Sequence, residues 1–328
     1  MQTTLAFIGD VMLGRGVNEE IGRVPPESFW GDVLPLLQSA DAVIANLECA
    51  ITEFDRPWSK TIKVFHFRAD PAAVEVLRAA NIRCVSLANN HTLDFQEQGL
   101  LDTLRHLDAA GISRAGAGAS LAEAAAPVVF QAGGLKIGVV AMTDNEPPFA
   151  AGPDRPGTNY MEISTDAAAL ARVESAAAQA RQAGADLVVL SLHWGPNMVL
   201  TPSPLFASFA AAAVDRGVHV IHGHSAHVFQ AVQLCGTRLI LYSTGDFLDD
   251  YAVDPDLRND WSFIFLVEAD ADGLRRLRMV PVRLHYAQVA LARGSEFEAI
   301  RNRMRRLCAE FRTPVSDTPD GLELLIRR

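Results

Sequence analysis

Residues 218–230, VHVIHGHSAHVFQ, carry the pattern that decides the fold: a short run rich in valine and isoleucine passes directly into His222, His224 and His227. The same ending recurs along the chain. Asp10 follows LAFIG, Asn46 and Glu48 close AVIANLE, Asn89, Asn90 and His91 close VSLANNH, and His193 closes LVVLSLH. In open α/β sheets the carboxyl ends of the strands form the ligand crevice, so groups scattered in sequence converge in space. Acid, amide and imidazole groups at the ends of five strand candidates predict one polar site.

The runs DAVIANLE, IRCVSLANN, LKIGVVAMTD, ADLVVLSLHW and VHVIHGHS alternate with alanine-rich helical patterns, the rhythm of βαβ units. Apolar strands without polar alternation are buried on both faces, which predicts stacked sheets covered on their outer sides by helices. Helices are expected near 27–38, 70–80, 95–110, 165–183, 203–216 and 295–312. Asp70-Pro71 and Thr201-Pro202 supply starts, and Gly111 and Gly184 supply stops. From Phe229 onward, two-residue alternation predicts antiparallel hairpins, with Asp272-Gly273 as a turn. The Pro/Gly-rich segment 145–158 is expected to be a long loop and a candidate substrate-facing lid.

The 328 residues are within reach of one large α/β unit, and 49% apolar with 21% charged residues is a globular balance. A net charge of −10 argues against general nucleic-acid binding, which needs basic patches. The late clusters Arg275–Arg283 and Arg301–Arg312 read as solvated helix faces. Cys49, Cys84, Cys235 and Cys308 lack paired spacing and read as buried free thiols, which with no secretion signal points to a reducing cytoplasm. No stretch offers the roughly 18 uninterrupted apolar residues of a spanning helix, so no membrane segment is expected.

Imidazole, carboxylate and amide oxygen together suit a divalent transition ion, Mn²⁺, Fe²⁺ or Zn²⁺, better than Mg²⁺ or Ca²⁺. Each residue alone also has a structural reading as a cap, a turn or a buried pair. His106, His219 and His285 read as structural or surface residues, and His66 as core or pocket.

The blocks GDVMLGR (9–15), NLE (46–48), ANNHTLDFQEQG (88–99), HWG (193–195), HGHSAHVFQ (222–230) and LYSTGDF (241–247) resemble, in order and spacing, those of the CapA family. That family is named for its role in poly-γ-glutamate capsule formation and is related in fold to calcineurin-like metallophosphoesterases. The resemblance implies a four-layer αββα sandwich over residues 1–290, with residues 291–328 as a C-terminal helix and tail packed on the same domain. It implies one or two metal ions held by Asp10, Glu48, Asn90, His193, His224 and His227, with Glu48 as bridging acid. His91 takes the place of the histidine that protonates the leaving group, and Glu48 and His193 join it as candidate proton carriers. Arg15, Asp94, Trp194 and Asp246 stand as candidates for substrate contacts or for supports of the ligating histidines, with core packing as the other reading of Trp194.

Two departures count against phosphoester hydrolysis. Met12 stands where phosphoesterases carry a metal-binding histidine, and a thioether is a poor ligand for hard divalent ions. Glu48 replaces the shorter bridging aspartate, and the final His-x-His is stretched to His224-Ser225-Ala226-His227. Three functions are compatible: amide chemistry or α-carbon epimerisation on a peptide or polyglutamate-like substrate, phosphoester hydrolysis, or a non-enzymatic role in a polymer synthesis or export complex. Oligomeric state does not follow from spacing.

Overall fold

The computed structural model describes residues 2–327. The first strand, Thr3–Val11, has almost no exposed side chain, yet its residues divide by parity. Leu5 and Phe7 enter one core while Ala6 and Ile8 enter another, as a period of two requires when both faces are covered.

That strand sits inside a ten-stranded sheet. Ala42–Leu47, Ile82–Ser86 and Ser113–Ala115 follow on one side, all parallel. On the other side lie Trp261–Asp270 and Gly273–His285, an antiparallel hairpin closed where Asp270 pairs with Gly273. A second, six-stranded sheet is built on parallel strands Leu135–Thr143, Leu187–His193, Val220–His224 and Arg238–Leu241. Antiparallel strands Val128–Ala132 and Val232–Cys235 form its two edges. One core packs the facing sides of both sheets together with helices Ala167–Gln182 and Pro204–Val214, through residues such as Phe7, Val139, Leu190, Val173 and Phe209. The other packs the far side of the ten-stranded sheet against helices Ala73–Ala79 and Gln96–Ala109, through Ile8, Val85, Leu77 and Leu104. The layers run α, β, β, α, as expected.

Several local expectations need correction. The helix expected at 27–38 is a 3₁₀ segment, Pro26–Val33, followed by an α-helix, Leu34–Ser39, because Gly31 takes φ 46 and breaks the run. The cap of Pro204–Val214 is Ser203, two residues beyond Thr201: its hydroxyl accepts from the Phe206 N–H, with Pro204 at the first helical position. The cluster Arg275–Arg283 lies on a strand, where Arg275 and Arg276 pair with Asp270 and Glu268 of the neighbouring strand. The C-terminal helix Gly294–Glu310 buries Ile300, Met304 and Leu307 in the inter-sheet core. The tail after it is a hairpin, Ser316–Thr318 with Gly321–Leu325, that extends the ten-stranded sheet through Gly273–His285. The four cysteines are free, and Cys235 alone is only partly buried. Among the described residues no helix is long and apolar enough to cross a membrane.

The close approach of chain segments at the strand ends depends on glycine. A Cβ at Gly223, between His222 and His224, would stand 2.1 Å from the carbonyl oxygen of Tyr242. Backbone cannot yield as a flexible side chain does, so Gly223→Ala is expected to cost about 3 kcal/mol or more, at or above the usual range for overpacking. A urea-denaturation midpoint measures it.

Candidate metal centre

Strand register alone assembles most of the centre. Asp10 pairs with Asn46 on one side and with Asp246 on the other, while His193 pairs with His224 across the second sheet. The Glu48 N–H donates to the Val11 carbonyl at 2.9 Å, holding its carboxylate at the next position along. Ligand atoms of Asp10, His193 and His224 lie within 4.8 Å of one another, and so do those of Asp10, Glu48, His227 and Asp246. Asp10 belongs to both sets.

The stretched spacing from His224 to His227 is absorbed by backbone conformation. Ser225 takes φ 100 and His227 takes φ 59, conformations that L side chains adopt rarely and that accumulate at ligand sites. The result aims both imidazoles at one carboxylate: His224 Nδ1 lies 3.7 Å from Asp10 Oδ1, and His227 Nδ1 lies 3.8 Å from Asp10 Oδ2. Supporting bonds fix the rings. Ser191 Oγ lies 2.9 Å from His224 Nε2, and Asp246 Oδ1 lies 2.8 Å from His227 Nδ1.

The electrostatics of this cluster favour a cation. Burial pushes the Asp10 carboxyl up to about 7 and, reinforced by Asp10, raises Glu48 well above the usual carboxylate range. Burial likewise holds His193 and His224 well below the ordinary imidazole range. Unlike those two imidazoles, His227 is driven upward, because the Asp246, Glu48 and Asp10 carboxylates overcome its burial. Both Glu48 oxygens are buried without a hydrogen-bond partner among the described residues, and so is the side-chain oxygen of Asn90. Buried polar atoms rarely remain unsatisfied, and a mixed oxygen and nitrogen donor set with orphaned carboxylate oxygens fits a divalent ion.

Asn90, whose buried side-chain oxygen has no hydrogen-bond partner among the described residues, lines the open cavity of about 630 Å³ above the centre together with Arg15, Lys63, His91, His227 and Tyr251. His91 stands between cavity and centre. Its Nδ1 is 2.6 Å from Asp94 Oδ2, and its Nε2 is 3.8 Å from Glu48 Oε1. Asp94 is itself fixed by the Phe67 N–H at 2.6 Å and by Lys63 Nζ at 3.4 Å. Arg15 reaches the cavity with a half-exposed side chain paired to Asp250. Trp194 does not: its indole N–H donates to the Tyr242 carbonyl at 2.9 Å and its ring packs among Phe206, Phe209 and Tyr242. Met12 turns its sulfur to the Gly14 N–H at 3.0 Å within the helix-side core. Of the proposed lid 145–158, Glu146 reaches the cavity, whereas Phe149 is buried and Gly157–Thr158 pairs with Ala117–Gly118.

Asn46 and Asn89 have a part that spacing did not reveal. Asn46 Nδ2 donates to Asp10 Oδ1 at 2.8 Å, and Asn89 Nδ2 donates to Asn46 Oδ1 at 3.0 Å, so a chain of amides orients the shared carboxylate. Their position beside Glu48 and Asn90 was the available signal.

His219 lies outside the centre, in the bend just before the strand Val220–His224. Its Nδ1 accepts the Val188 N–H at 3.0 Å. Burial, with Arg238 and Arg181 nearby, lowers it from 6.5 to about 4. The unfolded chain therefore binds this proton at a higher pH than the folded chain does, and stability is lost as pH falls from about 6.5 to about 4. His219→Gln is expected to shrink the drop in urea midpoint between pH 7 and pH 5 relative to the unsubstituted chain.

Residues 4–251 match the family described as bacterial capsule synthesis protein PGA_cap. The chain is 32% identical to a probable polyglutamine synthesis accessory protein of Mycobacterium tuberculosis (strain H37Rv), covering 97% of this chain and 94% of that one. It is 31% identical to the capsule biosynthesis protein CapA of Bacillus anthracis over 75% of this chain and 60% of that one. Against the PGA biosynthesis protein CapA of Bacillus subtilis it is 28% identical, over 87% and 72%. Order and spacing of the motif blocks, the αββα layering and these matches agree: the chain belongs to the PGA_cap family of bacterial capsule-synthesis proteins, to which CapA belongs.

Proposed function

We propose that this chain is a divalent-metal-dependent enzyme that acts on a peptide or poly-γ-glutamate-like substrate, by amide chemistry or by epimerisation at an α-carbon. The observation that carries the reading is the pair of donor sets sharing Asp10, with both Glu48 oxygens buried and unpartnered beside it. Asp10, Glu48, Asn90, His193, His224 and His227, with Asp246 beside them, would hold the ion, and nitrogen donors favour Mn²⁺, Fe²⁺ or Zn²⁺. When bound, such an ion supplies Lewis acidity to a carbonyl oxygen. Asn46 and Asn89 keep the Asp10 carboxylate oriented. His91, with Nδ1 tied to Asp94, presents Nε2 on the cavity side of Glu48 as the group that accepts or delivers a proton. His91→Asn is expected to lower kcat by about 100-fold or more while bound metal stays unchanged.

A second reading is favoured by the mycobacterial relative, described as a probable polyglutamine synthesis accessory protein: a metal-stabilised subunit without turnover of its own. The readings separate in one assay series. Purified chain supplied with Mn²⁺ or Zn²⁺ is incubated with γ-glutamyl peptides, followed by amine release and chiral analysis of the products, and in parallel with an aryl phosphate. Peptide conversion without phosphate release supports the enzyme proposed. Aryl phosphate turnover alone makes it a phosphoesterase, and metal binding with no turnover of either makes it an accessory subunit.

A further inference from the structure

We propose that the cavity mouth beside the candidate metal centre is a two-part subsite for a peptide carrying a carboxylate next to an apolar side chain. Arg15 receives the carboxylate, and Ile62, Val64 and Phe65 receive the apolar group. The proposal rests on the peptide reading above and narrows it from a uniformly acidic chain to one with an apolar neighbour.

Three large apolar side chains within four positions are left in solvent: Ile62 is 98% exposed, Val64 77% and Phe65 60%. Single exposed apolar residues are ordinary, but these three fall within residues 62–65 and all line the cavity above the candidate centre. Rings connect them to that centre. Phe65 stacks on Phe67 with centroids 6.4 Å apart and planes at 24°, and Phe67 stacks on His91 at 4.1 Å and 27°. The track therefore ends on the imidazole that faces Glu48, so an apolar group at the mouth lies along a continuous path to the reacting end.

Arg15 lies beside the same track, its guanidinium 5.8 Å from the Phe67 centroid and 3.4 Å from Asp250 through Nε, with 44% of its side chain exposed. Its φ of 51 is unusual for a residue other than glycine, and such strain is retained where it positions a ligand contact. A planar guanidinium suits a carboxylate. The other nearby cations are already matched by acids. Lys63, with a side chain only 6% exposed, faces Asp94 and Glu146, and Lys60 pairs with Glu97 at 2.8 Å. A uniformly acidic chain entering here would meet Glu146 and Asp250 with little surplus positive charge, whereas an apolar side chain would cover Ile62 and Phe65.

The test compares two matched dipeptides, γ-glutamyl-leucine and γ-glutamyl-glutamate, by calorimetric titration into the Mn²⁺-loaded chain. Leucine is expected to bind about tenfold tighter, the usual discrimination of an apolar contact. The double substitution Ile62→Ser, Phe65→Ser should bring the two dipeptides to near parity with metal content unchanged, since both residues are exposed. Arg15→Gln should weaken both dipeptides together. Equal or tighter binding of γ-glutamyl-glutamate overturns the proposal and leaves the peptide reading standing. If the double substitution instead abolishes association with anionic vesicles while the leucine preference persists, the loop is a membrane contact and the subsite is wrong. If neither dipeptide binds a chain that holds its metal, the peptide reading fails and this inference falls with it.

Discussion

Asp10→Asn is expected to weaken divalent-metal binding by at least about 100-fold and to abolish the gain in thermal stability on adding Mn²⁺ or Zn²⁺. No other side chain belongs to both donor sets. Its oxygens take the Asn46 amide, the Ser225 N–H at 3.4 Å and the approaches of His224 and His227. Replacing one oxygen by an amide nitrogen removes the charge and sets a donor against ring nitrogens that should face a cation. At a fixed ligand concentration, 100-fold in affinity corresponds to about 2.7 kcal/mol of linked stability, readable as Tm with and without metal. Asn46→Ala, which removes only the support, should fall between Asp10→Asn and the unsubstituted chain.

Glu48→Gln is expected to act with opposite signs in the two states. Without metal, the Glu48 carboxyl is buried, unpartnered and beside Asp10, and burial holds it well above its ordinary range. A carboxyl raised in the folded state binds its proton more tightly there than in the unfolded chain, so its contribution to stability falls as pH rises above about 4.5. The neutral amide removes that penalty, and the metal-free variant should be more stable at pH 7 by on the order of 1–3 kcal/mol. The advantage should be smaller at pH 5. With metal present the order reverses, because a ligand has been lost. Urea midpoints in chelator and in Mn²⁺, for both chains at both pH values, check the crossing. Stability sacrificed at a site for its ligand is a general signature of function.

The parts of this site legible in the sequence were those that strand geometry dictates. Asp10, Glu48, His193 and His224 stand at or just beyond strand ends, and parallel pairing places such residues side by side. What could not be read was set by backbone torsions and by which way an amide faces. His227 reaches Asp10 only because Ser225 and His227 take left-handed conformations that neither residue type advertises. Asn46 and Asn90 are alike in composition, yet Asn46 bonds Asp10 while Asn90 lines the cavity. Trp194, which its place after His193 left open to pocket or core, is held in the core by its bond to Tyr242. The mouth loop was opaque because nothing in the run TIKVFHF at 61–67 distinguishes Ile62, Val64 and Phe65, which project into solvent, from buried apolar residues. The tail hairpin carried a usable signal, Asp320-Gly321, where Gly321 takes φ 155.

The central claim, that the strand ends hold a divalent ion, is tested most directly by elemental analysis of purified protein. The unsubstituted chain is compared with an Asp10→Ala, His224→Ala double variant, with metal counted per chain after equal exposure to Mn²⁺ and Zn²⁺. About one or two transition ions per unsubstituted chain and none in the folded variant is the result this account predicts. An unsubstituted chain that remains metal-free under both conditions would contradict it.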